Sequence, residues 1–289
     1  MNRKIQVIAN KFKSFKRFVE MPKFYSSLRL IDINKTFSFF SPASAGNRSA
    51  VANLTVKAIN QTFPSLFYLM QVLNHSKNLI SPEEFCGTDN LELANKLKVN
   101  FDKYGSDKSR LHNYHYIYAR ILSCSTENLK IFEIGLGTNN TDVVSNMGKH
   151  GQPGASLKAF RDTFPNVLIY GADVDSRILF NETRIQTFHL DQTEPSSFNA
   201  ILKKVAPDIF LLIDDGLHAL NSNILTFAYG LQMVREFGWI VIEDIPSRQL
   251  GLWQLVSTLL PESFDSYIIH DKDNLVFVVQ TSSRESFNL

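Results

Sequence analysis

From Lys130 onward, short β-rich apolar runs alternate with segments of helical period, and this alternation constrains the fold more than any other feature of the 289-residue chain. Strand candidates are Ile131–Ile134, Val167–Gly171, Ile185–Leu190, Ile209–Ile213, Trp239–Ile242, Tyr267–His270 and Leu275–Gln280. Between them, Ala155–Phe164, Ser196–Val205, Ser222–Glu236 and Ser247–Leu259 carry helical periodicity. Strands that alternate with helices require a mostly parallel sheet covered on both faces. The last two strands are joined by the short, turn-rich Asp271-Lys272-Asp273-Asn274, so they should pair as an antiparallel hairpin. The expectation is an α/β fold: a doubly wound, Rossmann-like, seven-stranded and mostly parallel sheet with an antiparallel last strand, preceded by a helical N-terminal region. At 44% hydrophobic residues the chain can fill such a core, which excludes wholesale disorder and fibrous repeats.

Charge divides the chain unevenly. Residues 1–80 hold twelve Lys/Arg against two acids, Glu20 and Asp32, whereas the remainder holds eighteen against twenty-six. Such asymmetry suggests two parts with different tasks, a basic helical region over 1–88 and an α/β domain over 89–289. The overall balance of +2 argues against a dedicated nucleic-acid binder. In the first part Ile5, Ile8, Phe12, Phe15 and Val19 fall on one helical stripe, with Lys4, Lys11, Lys13, Lys16 and Arg17 largely off it. The default for such a stripe is packing on the domain or on a second subunit, which makes a homo-oligomer reasonable; the alternative is peripheral contact with an anionic membrane. Ser41–Arg48 reads as a loop and Val51–Leu73 as one or two helices interrupted at Pro64. The apolar run at Leu66–Leu73 is too short to span a bilayer, and the N-terminus lacks the continuous apolar stretch of a signal peptide. Two cysteines, Cys86 and Cys124, supply neither a disulfide framework nor a zinc site. The expected setting is the cytosol, with the inner membrane face as the place of any lipid contact.

Acids gather where the strands end. Phe132-Glu133-Ile134-Gly135-Leu136-Gly137 closes the first strand with an acid and two glycines, which allow close approach of backbone to a ligand. The third glycine of a dinucleotide fingerprint is missing and no helix begins at once, so pyrophosphate is a poor match. S-adenosylmethionine, which brings an ammonium and a carboxylate, suits the site better. Asp173, with Asp175 nearby, closes the second strand and can accept from both ribose hydroxyls of an adenosine; Asp191 after the third can accept from an adenine amino group. Singly each is as readily a surface acid or helix cap. In series at successive carboxyl ends they make a ligand site.

The fourth strand ends in Asp214-Asp215-Gly216-Leu217-His218 and the fifth in Glu243-Asp244. In a doubly wound sheet these strands are neighbours, so Asp215, Glu243 and Asp244 can converge. Three carboxylates in one crevice repel unless a metal ion or a positive side chain offsets them. Oxygen donors favour a hard divalent ion, Mg2+ first. His218 is placed to act as a base beside the ion. The competing reading makes Asp214 and Asp215 turn formers and Glu243 and Asp244 caps of the next helix.

The ordered set of motifs resembles a known family. Seven strands with only the last reversed is the pattern of class I methyltransferases. Lys103-Tyr104-Gly105-Ser106-Asp107-Lys108 followed by His112 and Tyr114, then Phe132–Gly137, Pro153–Pro165, Tyr170–Asp175, Asp214–His218 and Ile242–Asp244, are similar to the metal-dependent sugar O-methyltransferases of macrolide tailoring, the mycinamicin and macrocin type. That resemblance implies S-adenosylmethionine and Mg2+ as cofactors and a sugar as acceptor, free or within a glycan. It implies Asp215, Glu243 and Asp244 as metal ligands, Asp215 and His218 as catalytic residues with His218 the general base, and Glu133, Gly135, Gly137, Asp173, Asp191 and Asp214 at the cofactor. Leu217 and Glu236-Phe237-Gly238-Trp239 depart from the family pattern without removing a chemical group. The lysine- and tyrosine-rich segment before the first strand reads equally as a substrate cover or a packing face. Rival readings are a metal-independent small-molecule methyltransferase, a related enzyme of another reaction type, and a non-catalytic scaffold of the same fold.

Overall fold

The computed structural model describes residues 48–124, 128–205 and 208–283. The chain forms two compact units, Met1–His75 and Ser76–Leu289. In the first, helix α1 spans Arg48–Val72 and runs unbroken through Pro64, where the sequence suggested an interruption. An interior proline forfeits one hydrogen bond and crowds the preceding turn, a cost of about 3 kcal/mol that the rest of a 25-residue helix can absorb. The basic stripe from Ile5 to Val19 and the expected loop from Ser41 to residue 47 lie outside the described residues.

The second unit opens with β1 (Leu79–Ile80), α2 (Pro82–Cys86), α3 (Leu91–Tyr104), α4 (Asp107–Arg110) and α5 (Tyr114–Ser123). It continues through β2 (Lys130–Ile134), α6 (Ala155–Thr163), β3 (Leu168–Asp173), β4 (Asn181–Glu182), β5 (Ile185–His189), α7 (Pro195–Leu202) and β6 (Ile209–Asp214). Helix α8 (Leu220–Met233), β7 (Val234–Pro246), α9 (Leu250–Thr258), β8 (Asp265–Asp271) and β9 (Asn274–Gln280) complete it. The strands form one sheet in the order β1-β8-β9-β7-β6-β2-β3-β5-β4. All seven expected strands are present, and β9 runs antiparallel to both β7 and β8. The two additional strands, β1 and β4, have two residues each and occupy the edges, too short to leave an alternating pattern. Because β1 pairs in parallel with β8, the sheet recruits chain upstream of residue 88.

Alternate residues of each strand serve opposite faces. On one face Ile131, Leu211 and Val276 meet Leu97, Phe101, Ile117 and Phe160 of α3, α5 and α6. On the other, Phe227 of α8 and Trp253 of α9 pack against Phe277, with ring centroids 5.9 and 4.9 Å away. Parallel register then levels the strand ends: Ile134 stands opposite both Ala172 and Asp214, and Asp214 opposite Ile242. Whatever follows these residues emerges along one rim.

Candidate active site

The rim begins at Gly135, whose φ of +96° lies in the region that disfavours side chains. A Cβ there would come within 2.0 Å of the Asp215 carbonyl oxygen, so only glycine lets the β2 and β6 loops meet. Beside this junction lies a cavity of about 430 Å3, lined by Gly135, Asp173, Asp175, Asp191, Gln192 and Gly216 among others. It sits outside the carboxyl ends of β2, β3, β5 and β6, the place where open α/β sheets bind ligands.

The expected cofactor residues occupy different places around it. Asp173 lines the cavity, yet its oxygens accept from the Leu136 and Asp175 amides, both at 2.8 Å, so it braces the glycine loop. Burial raises its carboxyl above the usual range. Asp175 accepts from Thr138 and Asn140 and pairs with Arg177, whose hydrogen bonds hold it well below that range. Asp191 accepts the Thr193 amide and hydroxyl through one oxygen. Asp214 is fully buried and absent from the cavity wall; it accepts from Gln192 at 2.7 Å and Asn223 at 3.1 Å and so fixes Gln192, which does line the wall. Glu133 is also buried, accepts from Ser156 at 2.8 Å, and leaves Oε2 without a hydrogen-bond partner. Burial pushes it up to about 7 against the pull of the nearby Lys108. Gly137 faces a second cavity, with the Met147 sulfur lying 2.3 Å from where a Cβ would stand.

That second cavity, about 340 Å3, is lined by Asp107, Ser145, Met147, Asp215, His218 and Asp244 among others. Asp215, His218 and Asp244 each offer a ligand atom within 4.8 Å of the others. His218 Nε2 lies 3.9 Å from Asp215 Oδ1 and 4.0 Å from Asp244 Oδ2. Both His218 and Asp244 hold positive φ, +55° and +52°, which costs a side-chain-bearing residue roughly 1–3 kcal/mol. Asp244 sits in a bulge: the register of β7 against β9 shifts between Ile242 and Ile245, and this aims the acid at the cavity. Asp215 and Asp244 supply two oxygen donors of the kind that suits a hard divalent ion, with the His218 imidazole beside them.

Glu243 points elsewhere. One oxygen takes the Lys108 ammonium and the other the Tyr118 hydroxyl. Lys108, 1% exposed, also lies 2.7 Å from Asp215 and 3.4 Å from Glu133. Burial works to lower its pKa, but the three carboxylates win and hold it charged. Burial likewise raises Asp215 and, more strongly, Glu243. Tyr114 donates to Asp244 Oδ1 at 2.6 Å and Asn274 donates to the same oxygen at 3.1 Å. The cationic partner that a crevice of acids demands is therefore a lysine from α4, and two tyrosines one turn apart on α5 orient the acids. The Lys103–Lys108 segment carries no mark of this task in its own residues; its signal in the sequence is the unbalanced charge at the strand ends.

No protein-family model matches the chain. It is 26% identical over 152 residues to the 8-demethyl-8-alpha-L-rhamnosyl tetracenomycin-C 2'-O-methyltransferase of Streptomyces olivaceus, covering 52% of this chain and 37% of that protein. It is 32% identical over 121 residues to the mycinamicin VI 2''-O-methyltransferase of Micromonospora griseorubida, covering 41% and 28%. The match thus spans well under half the length of these curated relatives. Among solved structures, the MycE methyltransferase of the mycinamycin pathway in complex with Mg and SAH superposes with a TM-score of 0.52 at 23% identity, over 67% of this chain and 57% of that one. That likeness is one of fold: the chain has the class I methyltransferase architecture and resembles sugar O-methyltransferases in sequence.

Proposed function

We propose that this chain is an S-adenosylmethionine-dependent O-methyltransferase acting on the sugar of a small molecule. The observation that carries the reading is the pairing of cavities: Ser145 and Gly216 line both, so a donor held in one and an acceptor in the other meet across a single wall. The cofactor lies along Gly135, Asp173, Asp175 and Asp191. The acceptor lies over Asp107, Asp215 and Asp244, whose carboxylates accept hydrogen bonds from a polyhydroxylated ring.

A sugar hydroxyl is a weak nucleophile until its proton has somewhere to go. His218 Nε2, 3.9 Å from Asp215 Oδ1 and 4.0 Å from Asp244 Oδ2, takes that proton as general base. Tyr114 and Asn274 keep Asp244 in place, while Lys108 and Tyr118 keep Glu243 behind the cluster. Asp215 and Asp244 would hold Mg2+, which when bound stabilises negative charge on an acceptor oxygen. Ser145 donates to the Gly216 carbonyl at 2.9 Å on the wall that the two cavities share.

The test incubates the chain with S-adenosylmethionine, Mg2+ and rhamnosylated or related acceptors and follows methylated product by mass spectrometry. His218→Ala should lower turnover about 10²–10⁴-fold while S-adenosylhomocysteine still binds. Loss of cofactor binding in that variant contradicts the assigned role. A second reading, a metal-independent methyltransferase, draws on Lys108 already offsetting Asp215 and Glu243. Full activity after EDTA treatment would select it.

A further inference from the structure

Lys108 is buried on a four-residue helix, and a lysine there needs a reason. Ser106 caps that helix, its hydroxyl accepting the Lys108 amide at 3.4 Å. The ammonium carries three hydrogens, and Glu133, Asp215 and Glu243 stand around it as three carboxylates from three neighbouring strand ends. We propose that Lys108 is the resident cation of this site, a positioning residue that ties the ends of β2, β6 and β7 together and holds Asp215 by one oxygen, leaving the other turned toward His218. The acid cluster is thereby assembled before any ion or acceptor arrives.

This assignment builds on the reading of the cluster as the acceptor site, but its central claim concerns charge and can be tested separately. A purely packing role would be met by a neutral side chain of similar length. A cationic role requires a positive charge at that point, whoever supplies it. Lys108→Met keeps the stem and removes the charge; Lys108→Ala empties the position, which adjoins a small cavity lined by Ser106, Glu133, Ser156 and Asp215.

The experiment uses the full chain and reads thermal unfolding midpoint and methyl transfer in both variants, with and without n-propylammonium, and with n-propanol as the neutral control. Lys108→Met should lose about 10–100-fold in turnover, the range for residues that orient a site from behind. In Lys108→Ala, n-propylammonium should raise both the midpoint and the rate in a saturable manner, and n-propanol should do neither. If the alanine variant does not fold on expression, refolding yield in the two additives gives the same comparison. Equal rescue by the alcohol, or a methionine variant that matches the parent chain, overturns the proposal. Mn2+ binding by the parent chain, followed by electron paramagnetic resonance, tests the underlying reading on its own: no binding removes the metal and leaves the rescue result standing.

Discussion

Replacing Gly135 by alanine tests the junction on which both cavities depend. Its φ of +96° costs alanine about 1–2 kcal/mol before any contact is considered. The added Cβ then stands 2.0 Å from the Asp215 carbonyl oxygen and 2.8 Å from the Gly216 Cα, both backbone atoms. Relief requires the β2 and β6 loops to part, which loosens the Asp215 amide from the Ile134 carbonyl, now 2.8 Å away. Losing a buried backbone hydrogen bond costs about 1–3 kcal/mol, so the total should reach about 2–5 kcal/mol. The control is Gly148→Ala: φ is +69°, but nothing lies within 4 Å of the new Cβ, so only the conformational cost of about 1–2 kcal/mol applies. Urea unfolding gives both energies, and calorimetric titration with S-adenosylhomocysteine reads the cleft. Gly135→Ala should lose cofactor binding as well as stability. If it falls no further than Gly148→Ala and still binds, the contact between Gly135 and Asp215 does not hold the two cavities together.

Three further outcomes follow from the same geometry. Glu133 rises on folding from the ordinary 4.5 to about 7, so the native state keeps its proton longer than the unfolded chain. Its contribution is full below the lower value and is lost as pH climbs through the upper one, on the order of 3 kcal/mol; Glu133→Gln should flatten that part of the metal-free stability profile, and an unchanged slope would refute the shift. Phe160→Ala removes a ring packed edge-on against Phe101 and Tyr118, at 5.3 and 5.2 Å, and should cost about 3–5 kcal/mol in urea unfolding. Tyr114→Phe deletes one of the two donors that hold Asp244 and should weaken Mn2+ binding about 10–100-fold in a folded protein; unaltered affinity would show that the Tyr114 hydroxyl does not position Asp244.

Much of this architecture could be read before coordinates because a parallel strand announces its own end. Ile209–Asp214 is a run of apolar residues closed by an acid, and each such closure had to fall on one rim. Neighbouring acids on a strand end are harder to tell apart. Asp214 and Asp215 differ by one residue, hence by one face of the pleat: the first turns inward to Gln192 and Asn223, the second toward Lys108 and His218. The same holds for Glu243 and Asp244, where a bulge that no periodicity signals sends one acid to the core and the other to the cavity.

Lys108 was concealed for another reason. Burying an ammonium is unfavourable in isolation, and nothing within its own segment offsets the cost; the compensating carboxylates lie 25, 107 and 135 residues downstream, at Glu133, Asp215 and Glu243. The converse is equally true, since those carboxylates cannot crowd together without a cation. Neither half of the arrangement is stable alone, so each is evidence for the other. An acid-rich rim in an α/β sheet therefore poses a question that sequence can ask though not answer: which positive group, resident or borrowed, allows it to exist. Here one answer is built in at α4, and it leaves Asp215, His218 and Asp244 facing outward with their chemistry unspent.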